Sequence, residues 1–300
     1  MTKIGLVGGK RGSVNWHGIA FSAILSKKDN DAWERGGFAY REVEPFDDTT
    51  VVAVYDEDEE AAKTLASMLP DAEVVRDPGE MVGRVDGVVI VDDVTQQHQK
   101  QAAPFLRARV PTFVDKPLSR ETGEAAHIIR TAEQHGTPFM SGSALRYARE
   151  LEDVRDQIRE IGPIRYATAI GPGELVFYGV HPTELFHSAL GPGVDSVNNL
   201  GEPGNAFVAV QYAEGPRVLL AVSENIAYTF QLSLHGANGH IRVEVADHHA
   251  FYRNLMEAAV RMFRTGEPPI PASSTLEVIK ILHGSTRSLE IGGPVYLSDL

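Results

Sequence analysis

Lys3-Ile4-Gly5-Leu6-Val7-Gly8-Gly9-Lys10-Arg11-Gly12 is the stretch that decides the fold. An apolar strand runs into a glycine-rich turn, and residues 16–28 continue as a helix. Glycines let a backbone turn tightly and approach a pyrophosphate, whose charge then sits at the positive end of the helix. Outward from this turn the pattern repeats. Val51 to Tyr55 reads as a second strand, residues 59–69 as an alanine-rich helix and residues 85–91 as a third apolar run. Residues 97–109 then read as a helix and Thr112-Phe113-Val114 as a short strand. Strands that alternate with helices in this way imply right-handed crossovers and a parallel sheet. The polar stretch 29–50 is too long for an ordinary connection and reads as an insertion or loop.

The glycine turn predicts a dinucleotide site over Gly8, Gly9, Lys10, Arg11 and Gly12, with Lys10 standing where a second glycine of G-x-G-x-x-G is usual. The second strand ends in Val54-Tyr55-Asp56. A carboxylate there accepts hydrogen bonds from the adenosine ribose hydroxyls and repels a 2′-phosphate, so Asp56 favours NAD. Lys10 and Arg11 could pair with a 2′-phosphate, which keeps NADP open. Asp56 lies farther from the turn than the usual ~20 residues, and the 29–50 insertion accounts for the excess.

Beyond residue 120 the pattern changes. Residues 122–135 read as a helix, Phe139-Met140 as a short strand and residues 150–160 as one charged helix. Strand-like segments at 165–170, 207–212, 218–222, 230–234 and 241–245 follow without long helices between them. Their turns carry Gly, Pro and Asn, the signature of antiparallel connections. Helices at 251–264 and 274–291 precede a last strand at 295–297. The expected architecture is α/β: a Rossmann dinucleotide-binding domain at residues 1–120, then an α+β domain at 121–300 with a mainly antiparallel open sheet, serving substrate binding and oligomerisation. An open sheet with one apolar face invites pairing between subunits, so a homodimer or homotetramer is expected.

Composition narrows the function. Forty-one acidic against 28 basic residues leave a formal charge of −13, and no dense basic patch offsets it. Nucleic acid and anionic membrane surfaces are therefore not expected partners. The absence of cysteine excludes disulfides, thiol nucleophiles and cysteine metal sites. No apolar run approaches the ~18 residues of a membrane helix, and the chain opens on its strand without the basic start of a signal peptide. A cytoplasmic protein is the expectation. Eleven histidines raise the question of a metal. His181, Glu184 and His187 recur at three-residue intervals and drift around a helix, and neither they nor Asp247-His248-His249 match a zinc signature, so no metal is expected. Ser141-Gly142-Ser143 is not a nucleophile elbow.

Later landmarks are similar to a known family. Residues 85–91, then His98, then Val114-Asp115-Lys116-Pro117-Leu118, resemble the strand, histidine and Glu-Lys-Pro turn of the Gfo/Idh/MocA oxidoreductases. Tyr178-Gly179-Val180-His181-Pro182-Thr183-Glu184 resembles that family's Gly-x-His-x-x-Asp segment, and Gly236-Ala237-Asn238-Gly239 its second-domain hairpin. The resemblance covers nearly the whole chain in order. Two positions depart from it: Phe177 replaces the aspartate usual four residues before the histidine, and Asp93-Val94 replaces a threonine-proline.

The resemblance implies an NAD(P)-dependent oxidoreductase moving a hydride between nicotinamide and a hydroxylated small molecule, such as a sugar or polyol. Oxidising an alcohol needs a base for the hydroxyl proton, which suits histidine, and a cation for the developing alkoxide, which suits lysine. The resemblance puts Lys116 between nicotinamide and substrate and brings His181 across from the second domain. Asp93 and His98 would then lie near the cofactor, His98 as a cap or packing residue. Tyr178 and Glu184 are candidates for the missing aspartate's work. Two other readings stay open. One is a lyase or hydrolase that retains NAD and oxidises transiently, and the other is a non-catalytic nucleotide or metabolite sensor.

Overall fold

The computed structural model describes residues 1–8, 17–92 and 97–300. By contacts the chain forms two compact units, each drawing on several segments. The first contains Met1–Asp115, His127–Ser141 and Tyr252–Pro271. Its sheet has six strands, β1 (Thr2–Val7), β2 (Thr49–Tyr55), β3 (Glu73–Val74), β4 (Gly87–Ile90), β5 (Thr112–Val114) and β6 (Phe139–Ser141). They lie in the order β3-β2-β1-β4-β5-β6, and every pairing is parallel. β4 and β5 are buried along their whole length, as strands covered on both faces must be, which is why they read as unbroken apolar runs. The helix His17–Leu25 is likewise buried from Gly18 onward.

Packing explains two glycines of this sheet. A Cβ at Gly87 would stand 2.3 Å from the Phe263 ring, which covers the strand there, and one at Gly5 would stand 2.6 Å from Met81 Sδ. Arg264 ties the same unit together, donating to Thr2 Oγ1 at 2.9 Å and pairing with Asp48 at 2.8 Å.

The stretch expected to be a loop holds a helix, Asn30–Arg35, whose first turn is capped by Asp29 accepting from the Ala32 N–H. Trp33 is fully buried, packs edge-on against Phe38 and donates its indole N–H to Ala39 O. A single buried indole anchors this helix, so no apolar periodicity announces it.

The second unit contains Lys116–Ala126, Gly142–Phe251 and Ala272–Leu300. Its seven strands are β7 (Ile164–Pro172), β8 (Val194–Asn199), β9 (Asn205–Tyr212), β10 (Arg217–Ser223), β11 (Gln231–Gly236), β12 (His240–Glu244) and β13 (Val295–Tyr296). Their order is β12-β11-β7-β10-β9-β8-β13. Only β7 and β10 pair in parallel; the other neighbours are antiparallel. β8 was not expected from the sequence, because Val194-Asp195-Ser196-Val197-Asn198-Asn199 offers two apolar residues, and pairing with β9 and β13 defines it. The charged segment 150–160 is two short helices, Arg149–Glu152 and Arg155–Glu160, rather than one.

Residues alternate between buried and exposed along β9 and β12, as in a sheet covered on one side. The helices Val180–Leu190 and Ala272–Ile291 meet in an apolar cluster of Val180, Val278 and Leu282. Burying each such side chain contributes about 1.5–3 kcal/mol. The architecture is thus the Rossmann-type sheet plus mainly antiparallel second sheet that the sequence implies.

Candidate active site

In the first unit, the carboxyl ends of β1, β2 and β4 bring Gly8, Asp56 and Asp92 together. The Gly8 N–H donates to Tyr55 O at 2.7 Å and Val91 N–H to Val7 O at 2.8 Å, which fixes the three strand ends side by side. Gly8 adopts φ +106°, and a Cβ there would meet the Asp92 nitrogen and Val91 backbone at 3.2 Å. Glycine is therefore required at this point. Asp56 is buried at the end of β2 and accepts from the Asp58 N–H at 2.8 Å. An open parallel sheet binds its ligand where the strand order reverses, here beside β1, so a cradle without side chains and an adjacent carboxylate fit a dinucleotide. Gly9, Lys10, Arg11, Gly12 and Asp93 lie outside the described residues. His98 is buried, with Nε2 bonded to Asp92 O at 3.1 Å, while Gln101 donates to Asp92 Oδ2 at 2.6 Å. His98 and Gln101 thus brace the end of β4.

One constellation here escaped the sequence reading. Asp115 Oδ2 accepts from His17 Nδ1 at 2.6 Å, and His17 Nε2 is bonded to the Tyr252 hydroxyl at 3.0 Å. The three residues are scattered along the chain, and only the motif around Lys116 pointed towards Asp115.

Lys116, Tyr178 and His181 all belong to the second unit. Although the sequence reading cuts the chain at residue 120, contacts group Lys116 with the segment that carries the histidine. Lys116 is 4% exposed, and its Nζ lies 4.1 Å above the centre of the Phe177 ring. A cation over an aromatic face is attracted by the ring quadrupole, so Phe177 stabilises the ammonium without supplying a charge. The peptide between Lys116 and Pro117 is cis.

The segment before His181 is shaped by local bonds. Glu174 accepts from the N–H groups of Val176 and Phe177 at 3.1 and 2.8 Å, closing a turn. Gly173 has φ +86°, and a Cβ on it would strike the Tyr178 ring at 2.6 Å; one on Gly179 would stand 2.1 Å from Leu175 O. Aromatic rings continue along this wall. Phe177 packs edge-on against Tyr178, Tyr178 against His181, and His181 against Phe230 at 5.2 Å.

Two cross-links join the helix Val180–Leu190 to the segment after β6. His181 Nδ1 is bonded to Ser143 Oγ at 2.6 Å. Three residues further along both strands of chain, Arg146 Nε donates to Glu184 Oε2 at 2.5 Å, with Glu184 1% exposed. Arginine can only donate, so His187 Nδ1 accepts from Arg146 Nη2 at 3.1 Å and its Nε2–H donates to Glu277 at 3.2 Å. Burial alone would raise the Glu277 carboxyl, but hydrogen bonds from His187 and the backbone N–H groups of Gly193 and Val194 hold it below the usual carboxylate range. Glu184 therefore works as Arg146's partner within this chain. Among the described residues no group of three His, Asp or Glu side chains could hold a metal ion. Arg146 carries no motif, and Ser143 stands in the sequence only within Ser141-Gly142-Ser143, which is not a nucleophile elbow.

The first unit thus carries a parallel sheet with Gly8 beside a buried carboxylate, and the second carries the lysine-proline turn and a buried histidine on a helix. Residues 35–143 match the family model described as "Oxidoreductase family, NAD-binding Rossmann fold". That matched segment, like that of the Gfo/Idh/MocA oxidoreductases, holds the His98 and Lys116-Pro117 landmarks. An inositol 2-dehydrogenase from Acidothermus cellulolyticus is 32% identical over 97 residues, a stretch covering 32% of this chain and 28% of that protein. The aligned stretch thus spans less than a third of the relative's length. Among solved structures, a myo-inositol dehydrogenase from Corynebacterium glutamicum superposes with TM-score 0.79 at 17% identity, covering 99% of this chain and 98% of the other. A Lactobacillus casei myo-inositol dehydrogenase in complex with NAD(H) and myo-inositol gives TM-score 0.79 at 15% identity, covering 98% and 96%. These likenesses establish the shared fold. Among the described residues no helix is long and apolar enough to cross a membrane.

Proposed function

We propose that the protein is an NAD-dependent dehydrogenase that transfers a hydride between nicotinamide and a hydroxyl-bearing carbon of a small polyol or sugar. The observation that carries this reading is the buried Lys116 ammonium seated on Phe177, in the same unit and beside the same aromatic wall as His181. Gly8 and Asp56 would hold the dinucleotide, with Gly9, Lys10, Arg11, Gly12 and Asp93 alongside and His98 bracing the strand end. Asp56 favours NAD, as ribose recognition by a carboxylate does, and the family description and the NAD(H) complex of the L. casei neighbour support it. Bound NAD would supply the hydride acceptor.

Lys116 lowers the cost of the substrate alkoxide by its charge, and His181 takes the hydroxyl proton. Tyr178, whose ring packs on His181, positions the imidazole and offers a hydroxyl to the substrate. The inositol dehydrogenases among the relatives make cyclitols the first substrates to try.

A homodimer or homotetramer is part of the proposal. On one sheet face Ile170, Ala221 and Phe207 stand side by side across β7, β10 and β9, with Phe207 47% exposed, an apolar row suited to a second copy. The cysteine-free composition accords with a cytoplasmic setting.

The test is reduction of NAD by the purified protein with a panel of inositols, hexoses and alditols. Steady NADH formation with one of them is expected. Product formation without net NADH would favour the lyase or hydrolase reading, and nucleotide binding without conversion of any substrate would favour a sensor.

A further inference from the structure

His181 reaches its place with an unusual partner. In this chain the position four residues before it carries Phe177, whose ring is spent on Lys116. The imidazole instead bonds Ser143, whose Oγ lies 2.6 Å from Nδ1. That serine is not a chance neighbour. Its Oγ accepts from the Leu145 N–H at 3.1 Å and so caps the short helical turn Ala144–Tyr147. Ser143 is fully buried and His181 is nearly so. The Arg146–Glu184 pair then clamps the same two pieces of chain three residues beyond. Serine and histidine are thus held by their own elements, and the edges of Tyr178 and Phe230 fix the ring plane.

We propose that Ser143 is the positioning residue for His181, its hydroxyl fixing the imidazole through Nδ1. The inference rests on the dehydrogenase reading for its kinetic consequence but not for the contact itself. In the oxidation direction His181 would take the alcohol proton, and bound NAD would take the hydride from the same carbon, leaving a carbonyl. The imidazolium keeps its Nδ1 proton, which Ser143 Oγ accepts. A hydroxyl can serve both states, since it accepts from Nδ1–H or donates to a bare Nδ1. It also adds no charge, unlike a carboxylate, which would favour the imidazolium.

Three variants test this. Ser143→Ala should lower kcat about 10- to 100-fold, the order of loss seen when the outer partner of a metal-bound histidine is removed, with KM changed less than about threefold. Ser143→Thr keeps the hydroxyl and should retain most of the rate. Ser143→Asp should move the acidic limb of the kcat/KM profile upward by about one pH unit. The same shift is read independently of turnover by nitrogen-15 NMR titration of His181 in the cofactor-free protein. There Ser143→Ala should alter the Nδ1 resonance and Ser143→Asp should raise the midpoint. Urea unfolding of each variant reads the turn cap, which Ser143→Thr and Ser143→Asp both keep, so a kcat loss in Ser143→Ala larger than its stability loss explains belongs to the contact with His181. A Ser143→Ala protein with wild-type kcat, or a Ser143→Thr protein as slow as Ser143→Ala, overturns the proposal. If the wild type transfers no hydride to any substrate, the functional reading fails, and the titration alone decides. A His181 midpoint and Nδ1 resonance unchanged by both Ala and Asp then overturns the role of Ser143.

Discussion

Arg146→Met is the perturbation with the most determinate consequence. The Arg146 side chain is 10% exposed and its partner Glu184 1%. The same guanidinium also bonds His187, which in turn holds Glu277. Removing it strands a buried carboxylate, and breaking a buried pair from one side costs about 3–5 kcal/mol. At roughly 2–4 °C per kcal/mol for a domain of this size, Tm should fall by roughly 6–20 °C. Replacing both partners by apolar groups, Arg146→Met with Glu184→Leu, should recover most of that loss, since the desolvated charge disappears with its partner. Urea unfolding followed by circular dichroism measures both, and the double-mutant cycle should show strong coupling. The clamp also aligns the helix bearing His181 with Ser143, so the single variant should lose kcat as well. A single-variant cost under about 1 kcal/mol, the worth of an exposed pair, or strictly additive losses, would refute the reasoning.

Other outcomes follow from the same geometry. Asp56→Ala should weaken NAD more than NADP in fluorescence titrations, and equal loss for both would remove Asp56 from the ribose site. Glu277 is held below the usual carboxylate range, so its stabilisation is complete above the unfolded-chain value of about 4.3 and fades as pH falls through the native value. The stability gap between wild type and Glu277→Gln should therefore close on acidification, and a gap that persists at low pH contradicts this. Phe207→Glu, on the apolar row of the second sheet, should shift sedimentation towards a smaller species, whereas a wild type already monomeric at micromolar concentration rules out that interface.

Much of the fold was legible because its strongest signals are local. The run from Ile4 to Gly8 and the buried strands β4 and β5 are continuous apolar stretches, and Asp115-Lys116-Pro117 and Gly179-Val180-His181 keep their spacing within a few residues. What stayed hidden depends on distant partners. The helix Asn30–Arg35 exists because one tryptophan is buried, and β8 exists because β9 lies beside it. Ser143 and Arg146 matter only because residues 38 and 41 positions away fold against them. His17 and Tyr252, 235 positions apart, meet beside Asp115 by the same logic. Phe177 was visible as a departure, but its role as a seat for Lys116 needed coordinates.

The most direct measurement is single-turnover hydride transfer with NAD and the best polyol of the panel, comparing wild type with Lys116→Ala and His181→Ala. Each substitution should slow NADH formation by about 100-fold or more while the affinity for NAD, measured on the same protein, stays within a few-fold. Wild-type rates in either variant, with nucleotide binding intact, would contradict the assignment of proton transfer and alkoxide stabilisation to this pair.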